Sequence, residues 1–374
     1  MYLRLTLALL LLLIGIPPAF AHKPSDSYLT VRADAARVTG QWDIALRDLD
    51  YAIGLDDDGD GKLSWSEVKA HQKDIERVAF DHLSIASNGA PCSIAGIEAL
   101  IDQHSDGGYI VLRFNAACAD TPKTLAIGYS LFFDVDPQHR GLLNLTRDGR
   151  SITGVFSPDQ LTLTFDQASS GWRVQFRDFV REGIWHIWTG YDHILFLLAL
   201  LLPSVLRRTG AGWRPVASFR GALIAVLKTV TAFTVAHSIT LSCAALGVIS
   251  VPSRLVESTI ALSVVVAALN NVYPVFRDRT WPVAFAFGLV HGLGFANVLF
   301  ELGLQRETLY LALVGFNLGV EMGQLAIVAT FLPLAFLLRP TIFYSRIVLA
   351  GGSACIILLA SVWFVERAFN IRIT

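Results

Sequence analysis

The chain has 374 residues, a formal net charge of −1, 53 % hydrophobic and only 16 % charged residues, and a mean hydropathy of +0.51. No basic excess is present to hold nucleic acid, and the low charge favours a membrane protein over a purely soluble one. The length accommodates about two or three domains.

The N-terminus carries Arg4, an apolar run to Ile16 and then "PPAFA". A basic start, a short apolar core and a small-x-small site predict a secretory signal peptide over 1–21, with His22 opening the mature chain outside the cytoplasm. An uncleaved anchor is the competing reading; the shortness of the run and its closing prolines argue against it.

Residues 22–180 are ordinary in composition. The runs "YLTVRA", "RVTGQWDIAL", "YIVLRF", "TLAIGYSLFF", "SITGVF" and "LTLTF" alternate apolar and polar between Gly, Pro and Asp clusters. This period of two predicts a β-rich, sandwich-like α+β domain. Cys92 and Cys118 fall inside it and could form a disulfide in an oxidising compartment, whereas Cys243 and Cys355 lie in apolar stretches.

"DDDGDGKLSWSE", 56–67, interrupts the β pattern. Asp56, Asp58, Asp60, Lys62, Ser64 and Glu67 stand at positions one, three, five, seven, nine and twelve of an EF-hand-like calcium loop, with Gly61 sixth. Three short carboxylates wrap the ion, Lys62 offers its carbonyl, Ser64 holds a water and Glu67 closes the shell. An exit helix from Trp65 to about His82 is expected. The segment before the loop, "WDIALRDL", alternates like a strand and makes a poor entering helix. A structural Ca²⁺ is therefore expected, with a solvated acidic turn as the bland alternative.

After Phe179 the composition changes. Apolar runs cover Ile184–Pro203, Gly221–Ile249, Val256–Phe276, Trp281–Phe300, Thr308–Leu338 and Ile347–Val365. A helix needs about 20 residues to cross a hydrocarbon core, so 184–366 reads as an all-α, multi-pass bundle of about six helices. "RRTGAGWRPVASFR", "RDR" and "RPTIFYSR" form the arginine-rich loops, which the positive-inside rule places in the cytoplasm. The preceding domain is then outside.

The spans carry polar residues at depth. His186 and His193 share a face of the first, with Asp192 beside His193 and Gly190 between them; on a straight helix His193 lies about 10 Å deeper than His186. His237 and Ser238 lie near the middle of the second span, and His291 lies in the fourth among Gly288, Gly292 and Gly294. In the fifth span, Asn317, Glu321 and Gln324 fall on one face and Gly315, Gly319 and Gly323 on the other. Ionisable groups at membrane depth face a bundle interior and mark a pathway. Imidazoles with carboxylates suit Ni²⁺, Co²⁺, Zn²⁺ or Cu²⁺. For any single histidine an interhelical hydrogen bond is an equal alternative.

"HIWTGYDH", "FTVAHSITL", "FGLVHGLGFA" and "FNLGVEMGQL", in this order, resemble the HupE/UreJ family of bacterial membrane proteins, nickel or cobalt permeases. The resemblance covers the membrane half; short members lack the exported domain. It implies a cytoplasmic (inner) membrane location with a periplasmic N-terminal domain, and it assigns metal transport to His186, Asp192 and His193. The set expected to handle the ion is His186, Asp192, His193, His237, His291 and Glu321, lined by Ser238, Asn317 and Gln324. The same residues leave open a zinc-dependent intramembrane hydrolase, and the exported domain leaves open an assembly or sensory protein. Lipid and a metal ion are the implied partners; a homo-oligomer or a protein partner is compatible, and nucleic acid is not.

Overall fold

The computed structural model describes residues 26–34, 37–104, 107–147, 150–166, 172–209, 212–273, 276, 280–294 and 306–369. The signal peptide expected over 1–21 and the last six residues of the expected fourth span, 295–300, lie outside them.

The β-rich region contains two sheets. The first runs β5-β6-β2-β1-β8-β9, built from β1 (Asp26–Asp34), β2 (Arg37–Ala45), β5 (Ser93–His104), β6 (Gly107–Ala117), β8 (Arg140–Arg147) and β9 (Arg150–Phe156). The second runs β10-β7-β3-β4, from β3 (Leu83–Ser87), β4 (Ala90–Pro91), β7 (Thr124–Tyr129) and β10 (Thr162–Asp166). All pairs are antiparallel except β1 with β8, where Leu29 faces Leu143 in parallel register. Leu29, Val31, Trp42, Ile44 and Leu143 of the first sheet share one buried core with Ile85, Leu125, Ile127 and Phe165 of the second. This is the sandwich-like packing that the alternation predicts. Cys92 and Cys118 are joined by a disulfide, Cα–Cα 4.4 Å.

Four features differ from the sequence expectation. "TLAIGYSLFF" is a strand only to Tyr129; a turn follows, with Phe132 at φ 64°. The long edge strand β5 was not foreseen, because nearly all its side chains are exposed and no alternation marks it. An entering helix does precede the acidic loop: α1 (Leu46–Ile53) follows β2 directly and ends at Gly54, φ 66°, the left-handed geometry that glycine adopts without strain. The exit helix is two pieces, α2 (Trp65–Ala70) and α3 (Gln72–Asp81), broken at His71.

The helical half begins with α4 (Trp172–Thr189) and α5 (Tyr191–Leu201), which meet at Gly190 with a bend of 70°. The expected straight first span is thus a broken one. A short hairpin, β11 (Leu206–Thr209) and β12 (Gly212–Pro215), occupies the first arginine-rich loop. Then come α6 (Phe219–Ala245), α7 (Ser253–Val272), the shorter α8 (Thr280–His291) and α9 (Arg306–Leu338). A π-helical stretch, Tyr344–Gly351, leads into α10 (Gly352–Phe369). Four helical stretches among the described residues are long and apolar enough to cross a membrane, five with the bent pair. The expectation of about six rests on the fourth span, of which 280–291 is helical here.

Glycines set the helix contacts. A Cβ on Gly319 would collide with the Val180 carbonyl, and one on Gly183 with the Phe316 carbonyl, so α4 and α9 meet backbone to backbone. Gly288 and Gly292 do the same for α8 against Phe233 and His237 of α6. The opposite face of α9 presents Asn317, Glu321 and Gln324 to α6, as their spacing predicts.

One sheet bridges the two halves. Alternation sends Leu29, Ile44, Ile110 and Leu143 into the sandwich core and turns Tyr28, Ala45, Tyr109 and Leu142 the other way. These latter residues share an apolar cluster with Phe179 of α4, Leu241 and Ala245 of α6, and Leu309, Leu313 and Phe316 of α9.

Candidate metal centre

The break at Gly190 builds the centre. On a straight helix His186 and His193 would stand two turns apart. The bend brings their rings to a centroid distance of 4.6 Å. Gly190 carries no Cβ because one would lie 2.7 Å from the His186 carbonyl and 2.9 Å from Nδ1 of His193. His237, from the middle of α6, completes a group in which one nitrogen from each of the three imidazoles lies within 4.8 Å of the others. His291, at the end of α8, adds a fourth ring 5.3 Å from that of His193.

Hydrogen bonds fix which nitrogens face the centre. Asp192 Oδ1 accepts from His193 Nδ1 at 2.9 Å and also from the His193 backbone N–H at 2.8 Å. His193 Nε2 is left with its lone pair and no partner. Asn317 donates its amide N–H to the Leu313 carbonyl, so its Oδ1 accepts from His237 Nδ1, 3.5 Å away, and His237 Nε2 is likewise unpartnered. Ser263 of α7 gives its only hydroxyl proton to the Ile260 carbonyl, 2.6 Å away. Its oxygen then accepts from His291 Nε2 at 2.8 Å, which leaves Nδ1 of His291 a lone-pair donor without a partner. His193, His237 and His291 are 7 %, 0 % and 1 % exposed. Buried nitrogens that meet no donor are costly unless something accepts their lone pairs. A carboxylate, an amide and a hydroxyl that orient imidazoles in this way have the arrangement of the outer shell around metal-ligating histidines.

Asp192 lies in the first turn of α5, where the positive end of the helix dipole stabilises its carboxylate. That charge would partly offset a divalent ion placed among the imidazoles.

The other expected residues lie around this core. Asn317 is the His237 partner, and Gln324 accepts from Thr234 at 3.0 Å. Glu321 stands apart from the histidines. Its Oε1 accepts from Thr231 at 2.9 Å, its Oε2 has no partner, and with Ser238, Ser242 and Cys243 it lines a lateral groove between α6 and α9. Ser238 donates to the Thr234 carbonyl. Ser263 was not foreseen; its mid-span place in α7 was the only signal. Asn271 bonds the Ala199 carbonyl and Ser353, a structural role.

The acidic loop is a second, separate group. Carboxylate oxygens of Asp56, Asp58 and Glu67 lie within 4.8 Å of one another. Asp56 accepts from the N–H groups of Gly59 and Gly61, and Asp60 from that of Lys62. Glu67 closes a capping box with Ser64 and also accepts from the Asp57 N–H. The Ser64 hydroxyl and backbone hold the Glu67 pKa below the usual carboxylate value. At Asp58 the Asp60 N–H pulls the pKa down, but the charges of Asp60, Glu67 and Asp56, with partial desolvation, outweigh it and hold the pKa above the usual value. Crowded carboxylates of this kind fit a hard divalent cation.

The sequence profile described as "HupE / UreJ protein" matches residues 162–367, more than half of the chain. No curated protein matches it. The match spans both halves of the broken helix, all four histidines and the long apolar helices, which marks a multi-pass membrane protein. The chain belongs to the HupE/UreJ family.

Proposed function

We propose that this protein is a divalent transition-metal permease of the inner membrane, with Ni²⁺ or Co²⁺ as substrate. The observation that carries the reading is the convergence of His186, His193 and His237 at a break in the first span. Discontinuous helices that place ligands inside a membrane are how many transporters bind a substrate. The imidazole set excludes hard cations and suits nickel or cobalt. His186, His193 and His237 hold the ion, Asp192 orients His193 and balances charge, and His291 offers the next nitrogen. Glu321 is proposed as a separate polar station on the lateral groove. The driving force is a gradient or a partner.

The exported domain lies outside in this reading. It packs on the C-terminal end of α6 and the N-terminal part of α9, the ends opposite the arginine-rich loops, and its disulfide suits an oxidising compartment. Its acidic loop holds a structural Ca²⁺ through Asp56, Asp58, Asp60, the Lys62 carbonyl, Ser64 and Glu67.

A second reading has a specific basis. Three histidines gathered at one point, one of them bonded to a carboxylate, also match a resident catalytic zinc with an open position, as in an intramembrane hydrolase. Uptake decides between them. Proteoliposomes carrying the wild type should accumulate Ni²⁺ or Co²⁺, and those carrying His193→Ala should not. Equal accumulation by the two would remove the permease reading. A tightly held, non-exchanging zinc would favour the second.

A further inference from the structure

Below the histidines, three helices repeat one pattern. On α5, His193 is followed three residues later by Phe196; on α6, Phe233 lies four before His237; on α8, Phe287 lies four before His291. Each step is about one helical turn, and all three run away from the exported domain. The rings form one layer. Phe196 lies 5.3 Å from Phe233 and 5.8 Å from Phe287, centroid to centroid. Phe196 and Phe233 press on His291 at 4.9 and 5.3 Å, and Phe233 lies 6.0 Å from His237.

One to two turns further along the same helices the packing opens. Leu200, Thr229 and Thr280 line a cavity of about 220 Å³ that Arg207, Arg208 and Trp213 border on the arginine-rich side. The hydroxyls of Thr229 and Thr280 lie 3.1 Å apart at its wall. On the opposite side, Phe316 lies 5.2 Å from the His186 ring, within the cluster that also holds Tyr28 and Tyr109 of the exported domain. Apolar rings therefore pack against the histidines above and below.

We propose that Phe196, Phe233 and Phe287 form the inner gate of the metal centre, and that the ion leaves the histidines for the cavity below when these rings part. The proposal rests on the permease reading. Close-packed rings leave no water column, so they exclude a hydrated cation by dewetting, while their faces favour a dehydrated one in transit. The Thr229 and Thr280 oxygens then begin its rehydration. Arg207 and Arg208 disfavour a cation that lingers, which speeds release.

The test uses the full chain in vesicles loaded with a cobalt-sensitive dye. The absorption of protein-bound Co²⁺ reports separately on the histidines. Phe287→Ala is the principal variant, because Phe287 is only partly buried and its loss disturbs the fold least. Phe287→Leu conserves apolar bulk, and Phe287→Trp adds it. Cobalt entry through Phe287→Ala should rise about tenfold, equivalent to a barrier lower by about 1.4 kcal/mol, with the bound-cobalt spectrum unchanged. Phe287→Leu should stay near the wild-type rate, and Phe287→Trp should fall below it. If the wild type admits cobalt and all three variants admit it equally, the gate is wrong and the permease reading stands. If the wild type binds cobalt yet neither it nor any variant admits the ion, the permease reading falls and the gate with it.

Discussion

His186 and His193 stand seven positions apart in the sequence, yet their rings stand 4.6 Å apart because the chain turns 70° at Gly190 between them. The centre therefore depends on a residue that contributes no ligand. Gly190→Ala places a methyl 2.7 Å from the His186 carbonyl and 2.9 Å from His193 Nδ1, so one of the two histidines must move. Cobalt affinity should fall about 10- to 100-fold, the usual effect of disturbing the groups that orient ligands. Titration of the bound-cobalt absorption in detergent measures it. An affinity equal to that of the wild type would mean that the break does not set the site.

Ser263 acts through His291. Ser263→Ala removes the acceptor that holds His291 Nε2–H, so the ring can turn and its Nδ1 no longer points at the centre by necessity. Cobalt binding should weaken and its absorption spectrum shift, while Ser263→Thr, which keeps the hydroxyl, should restore both. An unchanged spectrum in Ser263→Ala would place His291 outside the ligand set.

The glycine face of α9 governs assembly. Gly319→Leu puts a side chain where the Val180 carbonyl sits, and α4 must move away from α9. Overpacking of this kind costs about 1–3 kcal/mol, and it should appear as a lower melting temperature in detergent. Leu318→Ala, at an exposed neighbouring position, should leave that temperature near the wild-type value. Equal melting of Gly319→Leu and the wild type would contradict the backbone contact.

The elements legible in the sequence were those with a single physical cause. Length and apolarity identified the four long apolar helices, and the two faces of α9 followed from spacing alone, because a polar stripe and a glycine stripe on one helix each have one use. The bend was not legible. Gly190 reads as a packing glycine like Gly319, and depth counted along a straight helix separates His186 from His193 instead of joining them. Glu321 shares the α9 face with Asn317, yet only Asn317 reaches a histidine; one turn along the helix decides this, and spacing does not. In the β-rich domain, α1 was hidden because its first residues continue the alternation of β2, and β5 because an exposed edge strand needs no apolar period.

His139 makes the β-rich domain sensitive to acid. It is fully buried, its Nε2 lies 2.5 Å from the Tyr129 hydroxyl, and burial, with the Arg140 charge, lowers its pKa to about 3. The unfolded chain binds the proton near pH 6.5 and the folded one does not. Stability is then complete above about pH 6.5 and falls by about 1.4 kcal/mol per unit as the pH drops toward the folded value. Proteolysis of the β-rich domain in the full chain should accelerate through that window, and His139→Gln, which cannot charge, should flatten the dependence. A wild type and variant with the same pH profile would remove His139 as the cause.

The acidic loop should respond to one substitution with two signs. Asp58 is held above the usual carboxylate range by its neighbours, so its contribution favours folding at low pH and is lost as the pH rises through that raised value. Glu67 is the reverse: its capping bonds stabilise the loop above the usual carboxylate range and are lost as the pH falls through its lowered value. At neutral pH without calcium, the loop thus keeps the Glu67 cap but bears the Asp58 repulsion. Asp58→Asn removes that repulsion and should slow amide exchange across 56–67 in a chelator. With millimolar Ca²⁺ the order should invert, because the wild type gains an ionic ligand that asparagine supplies only as a neutral carbonyl. Chelation alone should speed exchange in the wild type far more than in the variant. If calcium leaves wild-type exchange unchanged, the carboxylates are a solvated turn and the loop holds no ion.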